Sequence, residues 1–406
     1  MVAQHQPSYQ HPPMFGDTPL KIVEDASSLA QLVSLLERAP VIGVDTESNS
    51  MYAHTERVCL VQFSALGEDW IVDPLAVEDL SPLGPVLADP NIPTVLHGAD
   101  YDVRCLRRDY GFQIRGLFDT LIASQMLAMP KVGLGDLLTR FFGVEVDKQY
   151  QRYNWALRPL EKAHLDYARG DTHFLMAMRE IFLIKLKRAG RLSHFEEECA
   201  LMEELQFVPR EFDPNAALTM KGAKGLDDEA MRVLRRLYVF RESEAARLNR
   251  PPFKVIPNHT MIDIAKNQPT DDDELGRYLS RRSSIRRRYG AKLLKEVQLG
   301  LDEDWKVPRG QKSKPKPRRD SNSAKTRLRG RSADRAMEAL KSWRNQLTST
   351  DPRYTSHNVV SNSVLKHIAA ARPRTIEELK TVQDVRNWQA EEFGEPILAV
   401  LDEVDP

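Results

Sequence analysis

Short apolar runs alternate with amphipathic stretches over the first 190 residues. Residues 20–23, 41–44, 58–64, 70–72 and 94–97 are runs rich in Val, Ile, Leu and aromatic residues, and they predict strands. Gly67-Glu68 fits a turn between two of them. From Ser27 to Arg38 the apolar positions Leu29, Leu32, Leu35 and Leu36 recur at helical spacing. Further helical stretches are predicted at 101–109, 118–128, 134–141 and 161–188. Strands first and helices interleaved later predict an α/β sheet with helices on both faces. Such a sheet gathers its site at strand ends.

The C-terminal half carries an internal repeat. At an offset of 104 residues Asn258 matches Asn362, Ile264-Ala265 matches Ile368-Ala369, Pro269 matches Pro373 and Tyr289-Gly290 matches Phe393-Gly394. With one residue of slippage, Phe240-Arg241 matches Trp343-Arg344. Apolar, Gly and Pro positions recur while the surface changes, which predicts two copies of one small helical domain.

The 406 residues are enough for two or three domains. Their net charge is zero, but it is segregated: −9 over 1–224, +5 over 225–300, +10 over 306–331 and −3 over 332–406. Blocks of this kind meet different partners. The 306–331 segment, rich in Lys, Pro and Ser, reads as a flexible basic linker, and 1–18 reads as a disordered tail. No apolar run approaches the ~18 residues of a membrane span. Cys59, Cys105 and Cys199 lack metal spacing, so a reducing, cytoplasmic setting is expected.

The candidate chemistry begins in Val41-Ile42-Gly43-Val44-Asp45-Thr46-Glu47. Side chains two apart on a strand share a face, so Asp45 and Glu47 are held together and repel unless a cation lies between them. A lone Asp-x-Glu is a weak signal; Asp272-Asp273-Glu274 has the same pattern and reads as solvated surface. Two later segments add to it. Asp102 lies five residues past the strand-final His97, and Tyr167 and Asp171 are four apart on a helix. Taken singly, these read as a helix-start acid and a half-buried Tyr. Taken in order, Asp-x-Glu, Asp and Tyr-x-x-x-Asp form a constellation of hard oxygen ligands.

That constellation resembles the DEDD exonuclease superfamily in its Tyr subclass, and most closely the ribonuclease D family. The run from Lys148 and Gln149 through Asn154-Trp155 to Arg158-Pro159-Leu160 resembles that family's segment before its third motif, and Phe118-Asp119-Thr120 its helix start after the second. Ser48 departs from the family's usual aromatic after the Glu. The repeats resemble HRDC domains, which that family carries in tandem.

The resemblance implies a ribonuclease H-like α/β exonuclease domain at 19–205, with a mixed sheet flanked by helices. Two small all-α HRDC domains would follow at 206–302 and 333–406, separated by the 303–332 linker. It implies two divalent cations, Mg2+ or Mn2+, held by Asp45, Glu47, Asp102 and Asp171, with Tyr167 orienting the attacking water. The implied activity is 3′→5′ release of 5′-mononucleotides from RNA with an unpaired 3′ end, such as tRNA precursors. A DNA-directed relative and a non-catalytic RNA-binding adaptor are the alternatives.

Lys148 and Arg158 are candidate phosphate contacts, although Arg158 pairing with a local acid is an equal reading. Trp155 reads as a core anchor or a base-stacking platform. The first repeat copy carries Arg281, Arg282, Arg286 and Arg287 among tyrosines, where the second carries Asp384, Glu391 and Glu392. Only the basic copy can release counterions from RNA. The alternative is that its arginines pair with Asp271, Asp272, Asp273 and Glu274 nearby.

Overall fold

The computed structural model describes residues 15–209, 211–280, 282–306 and 323–404, with the backbone alone over 323–331. It forms two compact units: Met1–Glu47, Val58–Phe207 and Arg319–Pro406 make the first, and Ser48–Arg57 and Val208–Arg318 the second.

The first unit is built on six strands: β1 (Leu20–Val23), β2 (Ile42–Ser48), β3 (Val58–Ala65), β4 (Glu68–Val72), β5 (Thr94–Leu96) and β6 (Leu117–Asp119). They order β1-β4-β3-β2-β5-β6. The β1–β4, β2–β5 and β5–β6 pairs are parallel and β3–β4 is antiparallel, so the sheet is mixed. The helices are α1 (Ala26–Leu36), α2 (Leu83–Leu87), α3 (Asp100–Tyr110), α4 (Thr120–Met126), α5 (Leu134–Phe142), α6 (Lys162–His173), α7 (Leu175–Arg188) and α8 (Leu192–Glu203). Every residue of β3 is buried, as a central strand covered on both faces requires. The expected helix over 161–188 is two helices, broken at Phe174. Phe118 and Asp119, read as a helix start, belong instead to the edge strand β6.

Of the expected disordered tail, residues 1–14 lie outside the described set. Phe15 to Thr18 belong to the fold. The Phe15 ring lies 4.3 Å from the Arg169 guanidinium, and Arg169 donates to the Thr18 carbonyl at 3.0 Å.

The second unit holds α9 (Asp228–Arg247), α10 (Pro252–Val255), α11 (Asn258–Asn267), α12 (Asp272–Leu275) and α13 (Ser284–Asp302). The first unit ends with α14 (Ser323–Thr350), α15 (Asn362–Ala371), α16 (Ile376–Lys380) and α17 (Asn387–Val404). The repeat is visible atom by atom. Buried Arg241 donates to Asn258 Oδ1 at 2.5 Å, and buried Arg344 to Asn362 Oδ1 at 2.8 Å. Tyr289 meets Phe240 edge-on at 5.8 Å, and Phe393 meets Trp343 edge-on at 6.0 Å. Gly290 and Gly394 each lie against the matching leucine, Leu275 and Leu379.

The second copy shares one continuous apolar core with the exonuclease sheet. The Glu197 carboxylate accepts from the Asn387 and Trp388 amides at 2.7 and 3.1 Å, capping α17. Glu198 accepts from Arg386 and from Trp388 Nε1, and Arg191 pairs with Glu392. Glu392, one of the acids that distinguish this copy, is therefore paired inside the chain. Most of the basic linker, residues 307–322, lies outside the described set.

Candidate active site

Asp45 and Glu47 share the β2 face that α6 covers. Gly43 makes the approach possible, because a Cβ there would lie 3.0 Å from the Thr172 carbonyl of α6. Asp171 precedes Thr172, so this close packing presses it toward the strand. One oxygen each from Asp45, Glu47 and Asp171 lie within 4.8 Å of one another. The three remain open to solvent at one edge.

Asp102 stands beside this trio at the start of α3. Thr46, between the two strand acids, donates its hydroxyl to Asp102 Oδ1 at 2.5 Å. The turn before α3 is pinned by buried Asp119, which accepts from the Gly98 and Ala99 amides at 3.0 and 2.8 Å while capping α4. Thr120 donates to the Leu96 carbonyl and meets His97 Nδ1. The sequence-predicted Asp119-Thr120 pair thus places the second motif.

Tyr167 lies one turn before Asp171 on α6. Its ring stacks on buried Trp155 at 5.9 Å, and Tyr150 meets it edge-on at 5.8 Å. Tyr153 and His164 extend this aromatic wall, stacking at 4.1 Å. Trp155 is 1% exposed, so it anchors the loop and is no base platform.

Behind α6 lies buried Asp69. It accepts from Ser64 at 2.6 Å and from Arg169 Nε at 2.8 Å, and it meets His173 at 2.8 Å. Burial pushes the Asp69 carboxyl up, but the hydrogen bonds from His173, Ser64 and Arg169 hold it below the usual range. Arg169 and His173 flank Asp171 in sequence, so this cluster fixes the helix that carries it. The Tyr150-x-x-Tyr153-x-Trp155 spacing signals the aromatic wall. Thr46 and the Asp69 cluster have no signal beyond their positions beside motif residues.

The electrostatics fit a cation site. Burial first, then the neighbouring carboxylates, raise Asp45 and Glu47 well above the carboxylate range. Burial is the main cause that lifts Asp102 and Asp171 to about 7. No cationic side chain among the described residues pairs with the trio. Converging, uncompensated carboxylates with no His or Cys among them match hard divalent cations.

A pH dependence follows. A carboxylate raised to about 7 is protonated when folded and ionised when unfolded between pH 3.8 and 7, so the bare site loses stability as pH rises through that window. Cations compete with those protons. The rise in melting temperature on adding Mg2+ or Mn2+ should therefore be small near pH 5 and large at pH 8. A series of thermal scans checks this, and an increment independent of pH would contradict the site.

Several sequence-predicted phosphate contacts are corrected. Arg158 donates to both oxygens of Asp73 at 2.5 and 2.7 Å and to the carbonyls of Trp155, Leu157 and Cys59. It locks the loop and is unavailable to RNA. Arg286 is buried and bidentate on Asp272, at 2.9 and 2.6 Å. The other basic side chains beside the second motif are also engaged: Arg104 pairs with Asp100, Arg107 with carbonyls at the end of α8, and Arg108 with Asp109. Lys148, Arg282 and Arg287 are exposed. Arg281 lies outside the described residues.

The comparisons with known proteins agree with this geometry. Residues 20–187 match the 3′-5′ exonuclease family, and 230–297 and 333–401 match the HRDC domain. A ribonuclease D of Gluconacetobacter diazotrophicus is 30% identical over 302 residues, covering 73% of this chain and 76% of that protein. The chain belongs to the ribonuclease D family. The chain is also similar to part of larger proteins. The exosome complex component 10 homolog of Caenorhabditis elegans is 34% identical over 260 residues, which is 63% of this chain. The chain spans only 30% of that relative's length. The catalytic core of RRP6 from Trypanosoma brucei superposes with a TM-score of 0.64 at 32% identity, over 71% of this chain and 81% of that one.

Proposed function

We propose that this ribonuclease D family member is a metal-dependent 3′→5′ exoribonuclease that releases 5′-mononucleotides. The observation that carries the reading is the convergence of Asp45, Glu47 and Asp171 within 4.8 Å, with Tyr167 one helical turn away. Asp45, Glu47 and Asp171 would hold the cations, and Asp102, oriented by Thr46, would complete the set. A pair of Mg2+ or Mn2+ ions bound there supplies Lewis acidity to the attacking and leaving oxygens of a phosphodiester. Tyr167 donates its hydroxyl to the attacking water and orients it. The Tyr150–Trp155 wall keeps that hydroxyl in place.

Matched RNA and DNA oligomers, with and without EDTA, test the reading. RNA should shorten from its 3′ end, one nucleotide at a time, only with metal present. Preferential loss of DNA would favour the DNA-directed alternative, and binding without cleavage would favour an adaptor.

The substrate reading is an RNA with an unpaired 3′ end, such as a tRNA precursor, in the cytoplasm. A cleft of about 550 Å3 lies beside Tyr167, lined in part by Val146, Asp147, Gln149 and Tyr150. Lys148 lies in the same loop. In the second unit the exposed Arg282 and Arg287 supply the charge for gripping the RNA body. Changing both to Gln should reduce the slope of log affinity against log salt by roughly 1 to 2. Filter binding across a salt series checks this, and an unchanged slope rejects the surface. Arg286→Gln should instead lower the melting temperature, because the buried guanidinium also donates to the Asp272 and Leu279 carbonyls.

A further inference from the structure

Gln62 sits in the middle of β3 with 0% exposure, and neither its Nε2 nor its Oε1 has a hydrogen-bond partner among the described residues. Burying a carboxamide without partners costs on the order of 1–3 kcal/mol, so a central strand of a well-packed sheet has reason to avoid one. The rest of β3 is Val, Cys, Leu, Phe, Ser and Ala. An apolar residue would fit this position without that cost.

The strand register places this amide. β2 and β3 are neighbours joined by a short loop, too short for a parallel crossover, so they run antiparallel. Gly43 lies opposite Ser64, because a Cβ on Gly43 would be 3.6 Å from Ser64 Cβ. Two positions along each strand on the same face, Asp45 lies opposite Gln62. On the other side Gln62 pairs with Ile71 of β4. The face therefore carries the row Asp45, Gln62, Ile71, all beneath α6. Ile71 belongs to an apolar cluster with Leu60, Trp155, Ala168 and Tyr167. With a cation held there Asp45 is an ionised acceptor, so the amide nitrogen is the end suited to face it and the oxygen the end suited to face the cluster. There Trp155 Nε1 is a second buried donor without a partner.

We propose that Gln62 is a positioning residue for the metal site, its Nε2–H donating to the Asp45 carboxylate and fixing that ligand's orientation when cations bind. It touches neither substrate nor metal. Groups that hold a ligand from behind commonly change metal affinity or activity by about 10- to 100-fold. The inference rests on the cation-site reading above.

The test uses the full chain as wild type, Gln62→Met and Gln62→Leu. Mn2+ binding is followed by calorimetry and by the electron-spin signal of free Mn2+, with melting temperature measured in EDTA. Both variants should bind Mn2+ about tenfold or more weakly while melting in EDTA at or above the wild-type temperature. Turnover at saturating metal should fall less than turnover at limiting metal. Mn2+ isotherms that superimpose on wild type overturn the proposal. So does failure of both variants to fold, which would make Gln62 a packing requirement. Wild type that binds no Mn2+ sinks the site reading itself, a separate outcome.

Discussion

Asp45→Asn should lower turnover by at least about 10^3-fold while leaving the metal-free protein as stable as wild type or more so. Asp45 is central to the oxygen cluster, and Asp102, Asp171 and Glu47 each raise its carboxyl after burial does. Three acids converge there without a cationic side chain among the described residues, so the fold bears the cost of bringing them together. An amide at position 45 keeps the shape and removes one of those charges. Turnover by single-nucleotide release, and melting in EDTA, check the two halves. Near-normal turnover of Asp45→Asn with Mg2+ would refute the cation-site assignment.

Tyr167→Phe is expected to slow turnover by roughly 10^2- to 10^4-fold with little change in KM or melting temperature. Burial, then Asp171, Glu47 and Asp45, hold the Tyr167 hydroxyl far above its ordinary range. In the metal-free site it is therefore protonated and able to donate a hydrogen bond, the part proposed for it above. Phenylalanine preserves the stacking on Trp155 and the edge contact with Tyr150. The pH–rate profile should keep its shape at lower amplitude. A collapse in melting temperature, with an unchanged rate per folded molecule, would make Tyr167 a core residue and nothing more.

The clustering of the motif carboxylates and the tandem helical copies were legible because their signals are local. Asp45 and Glu47 are two apart on a strand, Tyr167 and Asp171 four apart on a helix, and each repeat copy carries its own Arg–Asn pair. The misread residues depend on distant partners. Arg158 and Arg286 look alike in a sequence, as positive charges near a polyanion's path. Asp73 lies 85 positions from Arg158, and only the folded sheet brings the two together. Arg286 meets Asp272 across 14 positions, a pairing the acidic run made conceivable without selecting that arginine. β6 is too short to show a period of its own, and its Asp119 is also the cap of the helix that follows. Glu197 and Glu198 carry no signal of their own, because nothing near them in sequence shows that α17 begins against them.

The cap that Glu197 provides has a consequence for how the molecule comes apart. The amides at the start of α17 are satisfied by a residue 190 positions earlier, and the apolar core runs on through that junction. Severing the chain between the two repeat copies should therefore not release the C-terminal copy. The fragment would stay with its nuclease by noncovalent assembly, and a nicked preparation would pass as intact until it was denatured.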